Sequence, residues 1–141
     1  MVVSVETEER KIVLREPTVH DKLVSSFEGK LKFIQQEDKS LSERYPGRKP
    51  YDDRVIIGFA MYQFLLPVNL DRQGLRRNDS DYRDNCKRLA EYLVSDPERA
   101  NVISHWIEDN KKSDIIEDPR ARRIIAEMKK QIKTKENVRN L

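Results

Sequence analysis

A chain of 141 residues can form one domain with a buried core. Charged residues reach 38% against roughly 25% in an average domain, and hydrophobic residues 37%, or about 40% with the four Gly that the usual ~45–50% includes, so a lean core lies under a charged, mostly helical surface. Full disorder is excluded because the apolar residues cluster with clear periods.

"VVSVE" (2–6) and "KIVLRE" (11–16) read as two short strands rich in β-branched residues. The polar link "TEER" between them makes an N-terminal β-hairpin the simplest reading. Such a hairpin is marginal alone and needs a helix over one face. Pro17 biases Glu16 toward extended backbone. Thr18 is placed to cap a helix, with Asp21 three residues on as the reciprocal acid. That helix carries Leu23, Val24, Phe27, Leu31 and Ile34 on one face, is weakened at Gly29, and ends before "RYPGRKP".

Asp52 or Asp53 caps the next helix, whose apolar residues lie all round: Val55, Ile56, Ile57, Phe59, Met61, Phe64, Leu65 and Leu66. A helix with no polar face is expected to be buried on several sides, and Pro67 to stop it. "VNLDRQGLRR" reads as a connector. Ser80 caps a helix with the stripe Tyr82, Cys86, Leu89 and Leu93. Asp96 and Pro97 open another with Val102, Ile103, Trp106 and Ile107, and Asp118 and Pro119 open the last. The last carries Ala121, Ile124, Ile125, Met128 and Ile132 on one side. The expected fold is mainly α: about five helices in one domain with a short N-terminal β-hairpin. A helical domain over 1–118 is followed by a basic amphipathic helix over 119–141 that is free to extend from the body. No internal repeat is visible.

The net charge of +3 is unevenly spread. Over 119–141, eight Lys or Arg (Arg120, Arg122, Arg123, Lys129, Lys130, Lys133, Lys135, Arg139) face only Glu127 and Glu136, giving +6 and leaving −3 for 1–118. The apolar run "VIIGFAMYQFLLPV" (55–68) contains Gln63 and Pro67 and falls short of the ~20 residues of a membrane span, so no membrane partner is expected. The N-terminal "MVVSVETEER" is too short and acidic for a signal peptide, and a single Cys fits a reducing compartment. A cytoplasmic protein is expected.

Catalytic chemistry finds little footing. His20 and His105 stand far apart and outside any ligand spacing; His20 reads as exposed in a first helical turn and His105 as a partly buried packing residue. Cys86 lies on an apolar stripe and reads as a buried, inert thiol. Asp79, Asp81 and Asp84 read as capping and dipole residues, and "YPGRKP" is no phosphate loop. No enzyme, metal or cofactor is expected.

A charged helix face is most often simply solvated, and two binding readings compete with that one for the last helix. Its apolar stripe needs a cover, and a partner protein could dock on Ile124, Ile125, Met128 and Ile132. Alternatively Arg120, Arg122, Arg123, Lys129, Lys130 and Lys133 could contact nucleic-acid phosphates, although 119–141 holds no aromatic residue for base stacking.

The stretch "LREPTVHDKL" (14–23) resembles the start of phage tail assembly chaperones, where a strand reading like "VTLREPTVGDL" passes through a Pro-Thr turn into a helix. Leu14, Arg15, Glu16, Pro17, Thr18, Val19 and Asp21 fit that pattern. The resemblance implies a non-enzymatic protein of the host cytoplasm that holds a tail tube or tape measure subunit soluble until assembly. The basic C-terminal helix is not part of it.

Overall fold

Thr18 and Asp21 form the expected reciprocal cap. The Thr18 hydroxyl accepts from the Asp21 amide at 3.1 Å, and the Thr18 amide donates to Asp21 Oδ2 at 3.0 Å. From this start runs α1 (Val19–Arg44), in a computed structural model that describes residues 16–111 and 116–139. The two expected N-terminal strands lie outside the described residues except for Glu16. Five further helices follow: α2 (Asp53–Phe64), α3 (Pro67–Arg72), α4 (Tyr82–Leu93), α5 (Pro97–Asn110) and α6 (Pro119–Arg139). The described residues form an all-α domain of six helices, without strands.

The inward face of α1 is Leu23, Phe27, Leu31 and Ile34, stepping by four, four and three, as a helix with one covered side requires. One turn further on, the buried position is an acid. Asp38 accepts the Tyr51 amide at 3.1 Å and pairs with Arg48 Nη2 at 2.7 Å. Arg48 also donates to the Asp38 carbonyl and, at 2.7 Å, to Ser42 Oγ. The loop after α1 is thereby tied back onto the helix, which sets where α2 begins. Asp52 caps α2 by accepting from the Val55 amide at 3.0 Å.

Helix α2 packs on α1 and α5, and these cover only part of its circumference. Ile56, Ile57, Ala60, Met61 and Phe64 are buried, with Phe64 edge-on to Phe27 at 5.7 Å. Phe59 and Tyr62 face outward at 46% and 40% exposure. The expectation of a helix buried all round is therefore corrected. Phe59 and Tyr62, with half-buried Val55 and Leu66 in line at spacings of four, three and four, form an outward apolar stripe on the side that α1 and α5 leave uncovered.

Pro67 does end α2, but it also opens α3. At the first helical position its missing N–H removes a donor that would have had no intrahelical partner. The segment expected as a connector is thus a short helix. It closes in a Schellman motif: Gly74 takes φ +82°, its amide bonds the Asp71 carbonyl, and the Leu75 amide reaches back to Leu70 O at 3.1 Å. Buried Asn69 locks α3 to its neighbours, donating to Phe64 O at 2.8 Å and accepting from Ser26 and Gln73.

Helix α4 starts after Asp81 rather than Ser80, and its expected stripe is inward, with Cys86, Leu89 and Leu93 buried and Tyr82 half-buried. Asp96 caps α5 at 2.9 Å from the Arg99 amide, with Pro97 at the first position. Arg99 then bridges three helices, lying over the Phe27 and Tyr92 rings and 3.5 Å from Glu28.

Helix α6 does not stand off from the body. It packs along α4 more extensively than any other helix pair in the fold, and it also touches α5. Ala121, Ile124 and Met128 belong to the same core as Phe27 and Phe64. The reason is plain in the spacing: three apolar residues on one line of a helix lose more by facing water than α6 loses by ordering against α4.

Candidate functional site

The basic helix carries the charge of the chain, so the partners of each cation decide what is left to bind. Arg120 is fully committed. Its Nη2 lies 2.6 Å from Asp118 Oδ2, its Nε 3.0 Å from Asp118 Oδ1, and its Nη1 2.6 Å from Asp71 Oδ1 and 2.9 Å from the Leu75 carbonyl. The hydrogen bonds that Arg120 donates hold the Asp118 carboxyl below its ordinary range, and the acceptance by Asp118 first and Asp71 next raises the guanidinium further. Arg123 and Lys130 share buried Glu127, at 3.4 and 3.7 Å. Lys135 donates to the Val94 carbonyl at 2.6 Å.

Of the six residues proposed for phosphate contact, Arg120 is therefore a clamp inside the fold, and Arg123 and Lys130 are already partnered. Arg122, Lys129 and Lys133 have no ion pair among the described residues, and all three are exposed on one side of α6. Among the described residues the Arg122 Nε reaches the Ile116 carbonyl, at 3.4 Å.

The four apolar residues proposed for partner docking divide in the same way. Ile124 and Met128 are fully buried and unavailable, because α4 already covers them. Ile125 and Ile132 are half-buried and open onto the seam between α5 and α6. Each lines a hollow there. The first, of about 360 Å³, has Ile125, Trp106 and Ile116 in its wall and Arg122 and Lys129 at its edge. The second, of about 370 Å³, is bounded by Ile132, Ala100, Ser104, Lys135 and Glu136. The two isoleucines are seven residues apart, hence roughly 10 Å along the helix axis.

Trp106 is positioned from behind. A Cβ on Gly58 of α2 would lie 3.2 Å from Trp106 Cδ1, so the absence of a side chain there lets the indole seat against α2. The sequence placed Trp106 on the core stripe of α5 but gave no sign that it also borders an opening. That would have required knowing where α6 crosses α5.

The residues considered for chemistry are dispersed. Burial pushes the Cys86 thiol up to about 11, and its neighbour Tyr82 up to about 12, the reverse of nucleophile activation. His20 is half-buried, and desolvation first, then Arg88, lowers its pKa. His105 is exposed, not packed as expected, with Nδ1 2.9 Å from the Asn101 carbonyl one turn back. Asp79, Asp81 and Asp84 are exposed. Among the described residues no group of His, Cys, Asp and Glu could hold a metal ion, and no helix is long and apolar enough to cross a membrane.

What the geometry defines, among the described residues, is an all-α arrangement of six helices with a grooved, basic face along the last of them. No protein-family model, curated protein or solved structure matches the chain.

Proposed function

We propose that this is a non-catalytic interaction protein that docks a partner protein along the α5–α6 face. One observation carries the reading: Ile125 and Ile132 are left half-buried beside hollows on one seam, while the rest of the α6 stripe is covered by the chain itself. Small apolar openings two turns apart suit side chains projecting from one face of a partner segment. The likeness of 14–23 to phage tail assembly chaperones supports a narrower form, in which the partner is a tail tube or tape measure subunit kept soluble before assembly.

The competing reading, nucleic-acid binding through Arg122, Lys129 and Lys133, draws support from their shared exposed side. Tagged protein retrieved from its own cells, with and without nuclease, separates the two. A partner protein should survive nuclease and moderate salt. It should be lost with Ile125→Ser and Ile132→Ser and largely kept when the three cations become Gln. Loss in the Gln variant alone, with release by nuclease, would replace the protein reading by the nucleic-acid one.

A further inference from the structure

The hollow beside Ile125 has an uneven chemistry. Its wall is largely apolar, and Lys111, Arg122 and Lys129 also line it, with no acidic side chain among the described residues that bound it. Lys111 pairs with Glu108 at 3.1 Å. Arg122 and Lys129 are different: they have no carboxylate partner among the described residues, whereas Arg120, Arg123 and Lys130 on the same helix each have one. Among the described residues, Arg120 and Arg123 are thus paired where they meet the body, whereas Arg122 and Lys129 stand beside an apolar opening with no carboxylate to offset them.

From this charge pattern we infer that the partner segment is acidic and amphipathic, an apolar side chain entering beside Trp106 and Ile125 with carboxylates on either side reaching Arg122 and Lys129. The inference rests on the docking reading above and names the chemistry of what docks. An apolar anchor supplies burial, and complementary charge at the rim fixes orientation and discriminates against basic or neutral segments. Lys133, one turn beyond Lys129, is exposed on the same side of the helix, whereas the hollow at Ile132 carries Lys135 and Glu136 together, so the charge preference belongs to the hollow beside Ile125.

Trp106 is the only tryptophan in the chain, so its emission reports on occupancy of this hollow. The probe is a synthetic helical peptide without Trp, carrying leucines two turns apart and Glu at the flanking positions. Versions with Gln or Lys in place of Glu, and a fluorescein-labelled DNA oligonucleotide, are measured beside it. The Glu peptide should shift Trp106 emission saturably and bind roughly tenfold more tightly than the Gln version, with the Lys version weakest. Its affinity should fall with salt, and Arg122→Glu with Lys129→Glu should remove the preference for Glu. Lys32→Glu with Lys39→Glu, a matched charge change on α1, should leave it intact. Should the double reversal on α6 fail to fold by thermal melt, Lys129→Gln alone and the salt series on the unaltered protein decide the same question.

Equal binding of Glu and Gln peptides would overturn the acidic partner and leave protein docking standing. So would the absence of any peptide-induced shift while a cellular partner is still lost with Ile125→Ser. Oligonucleotide binding that depends on Arg122 and Lys129 but not on Ile125, without peptide binding, would overturn both.

Discussion

Arg120 Nη1 on the first turn of α6 lies 2.6 Å from Asp71 Oδ1 on α3, and the same nitrogen donates to the Leu75 carbonyl. The guanidinium is only 12% exposed, and its other edge is held by Asp118. One residue therefore joins the entry of the last helix to the end of the third.

Arg120→Gln should consequently act on stability, not selectively on binding. It leaves Asp118 without its charge partner and the Leu75 carbonyl without a donor. The expected cost is about 2–3 kcal/mol, below the ~3–5 of a fully buried pair because Asp71 is largely exposed. Denaturant melts of Arg120→Gln and Lys129→Gln make the comparison. Equal stability of the two variants would show that Arg120 is no clamp.

Phe59 and Phe64 give a second contrast within one helix. Phe64 is fully buried against Phe27, and Phe64→Ala should cost ~3–5 kcal/mol. Phe59 is 46% exposed, with its ring edge-on to Tyr51 at 5.8 Å, so Phe59→Ala should cost about 1 kcal/mol or less. Comparable losses would mean that the outward stripe of α2 is covered in solution.

These residues also show where sequence reasoning reached its end. The stripes on α1, α4 and α5 were legible because each helix has one covered side, and periodicity then equals burial. On α2 apolar residues occupy every side, so nothing in the order of letters separates Phe59 from Phe64; only the placement of α1 and α5 does. Pro67 was legible as a stop but not as a start, because the six-residue α3 has too few positions to show a period. In the candidate site, the density of Lys and Arg after Asp118 was visible. The division into clamped Arg120, shared Arg123 and Lys130, and open Arg122 and Lys129 was not, since it depends on acids distant in the chain or buried by packing. Neighbours Ile124 and Ile125 likewise part ways only once α4 and α5 are both in place.

Gly29 sits in the middle of α1, exposed, and a Cβ built on it meets nothing within 4 Å. Gly29→Ala should therefore stabilise the protein by about 0.5–1 kcal/mol through helix propensity and reduced freedom of the unfolded chain. A raised melting temperature is the expected result. A lowered one would indicate that the hollow beside Gly29, lined also by Phe33 and Gln73, closes on it.

The acid limb of stability should depend on Asp38 and Asp118. The Tyr51 amide first, with Arg48 assisting, holds the Asp38 carboxyl below its ordinary 3.8; the hydrogen bonds of Arg120 do the same for Asp118. The sign follows from linkage. A folded-state pKa below the unfolded one means that the unfolded chain binds protons first, so the contribution is complete above about pH 4 and disappears as pH falls through the lower folded values. Asp38→Asn keeps an oxygen that can accept from Tyr51 but removes the charge that holds Arg48. It should be less stable than the unaltered protein at neutral pH, and the gap should narrow steadily below about pH 4. Melting curves at a series of pH values test this, with Asp118→Asn expected to follow the same course. A gap that stays constant down the acid limb would mean that the Asp38 carboxylate contributes through shape alone, and that the loop after α1 is not held by its charge.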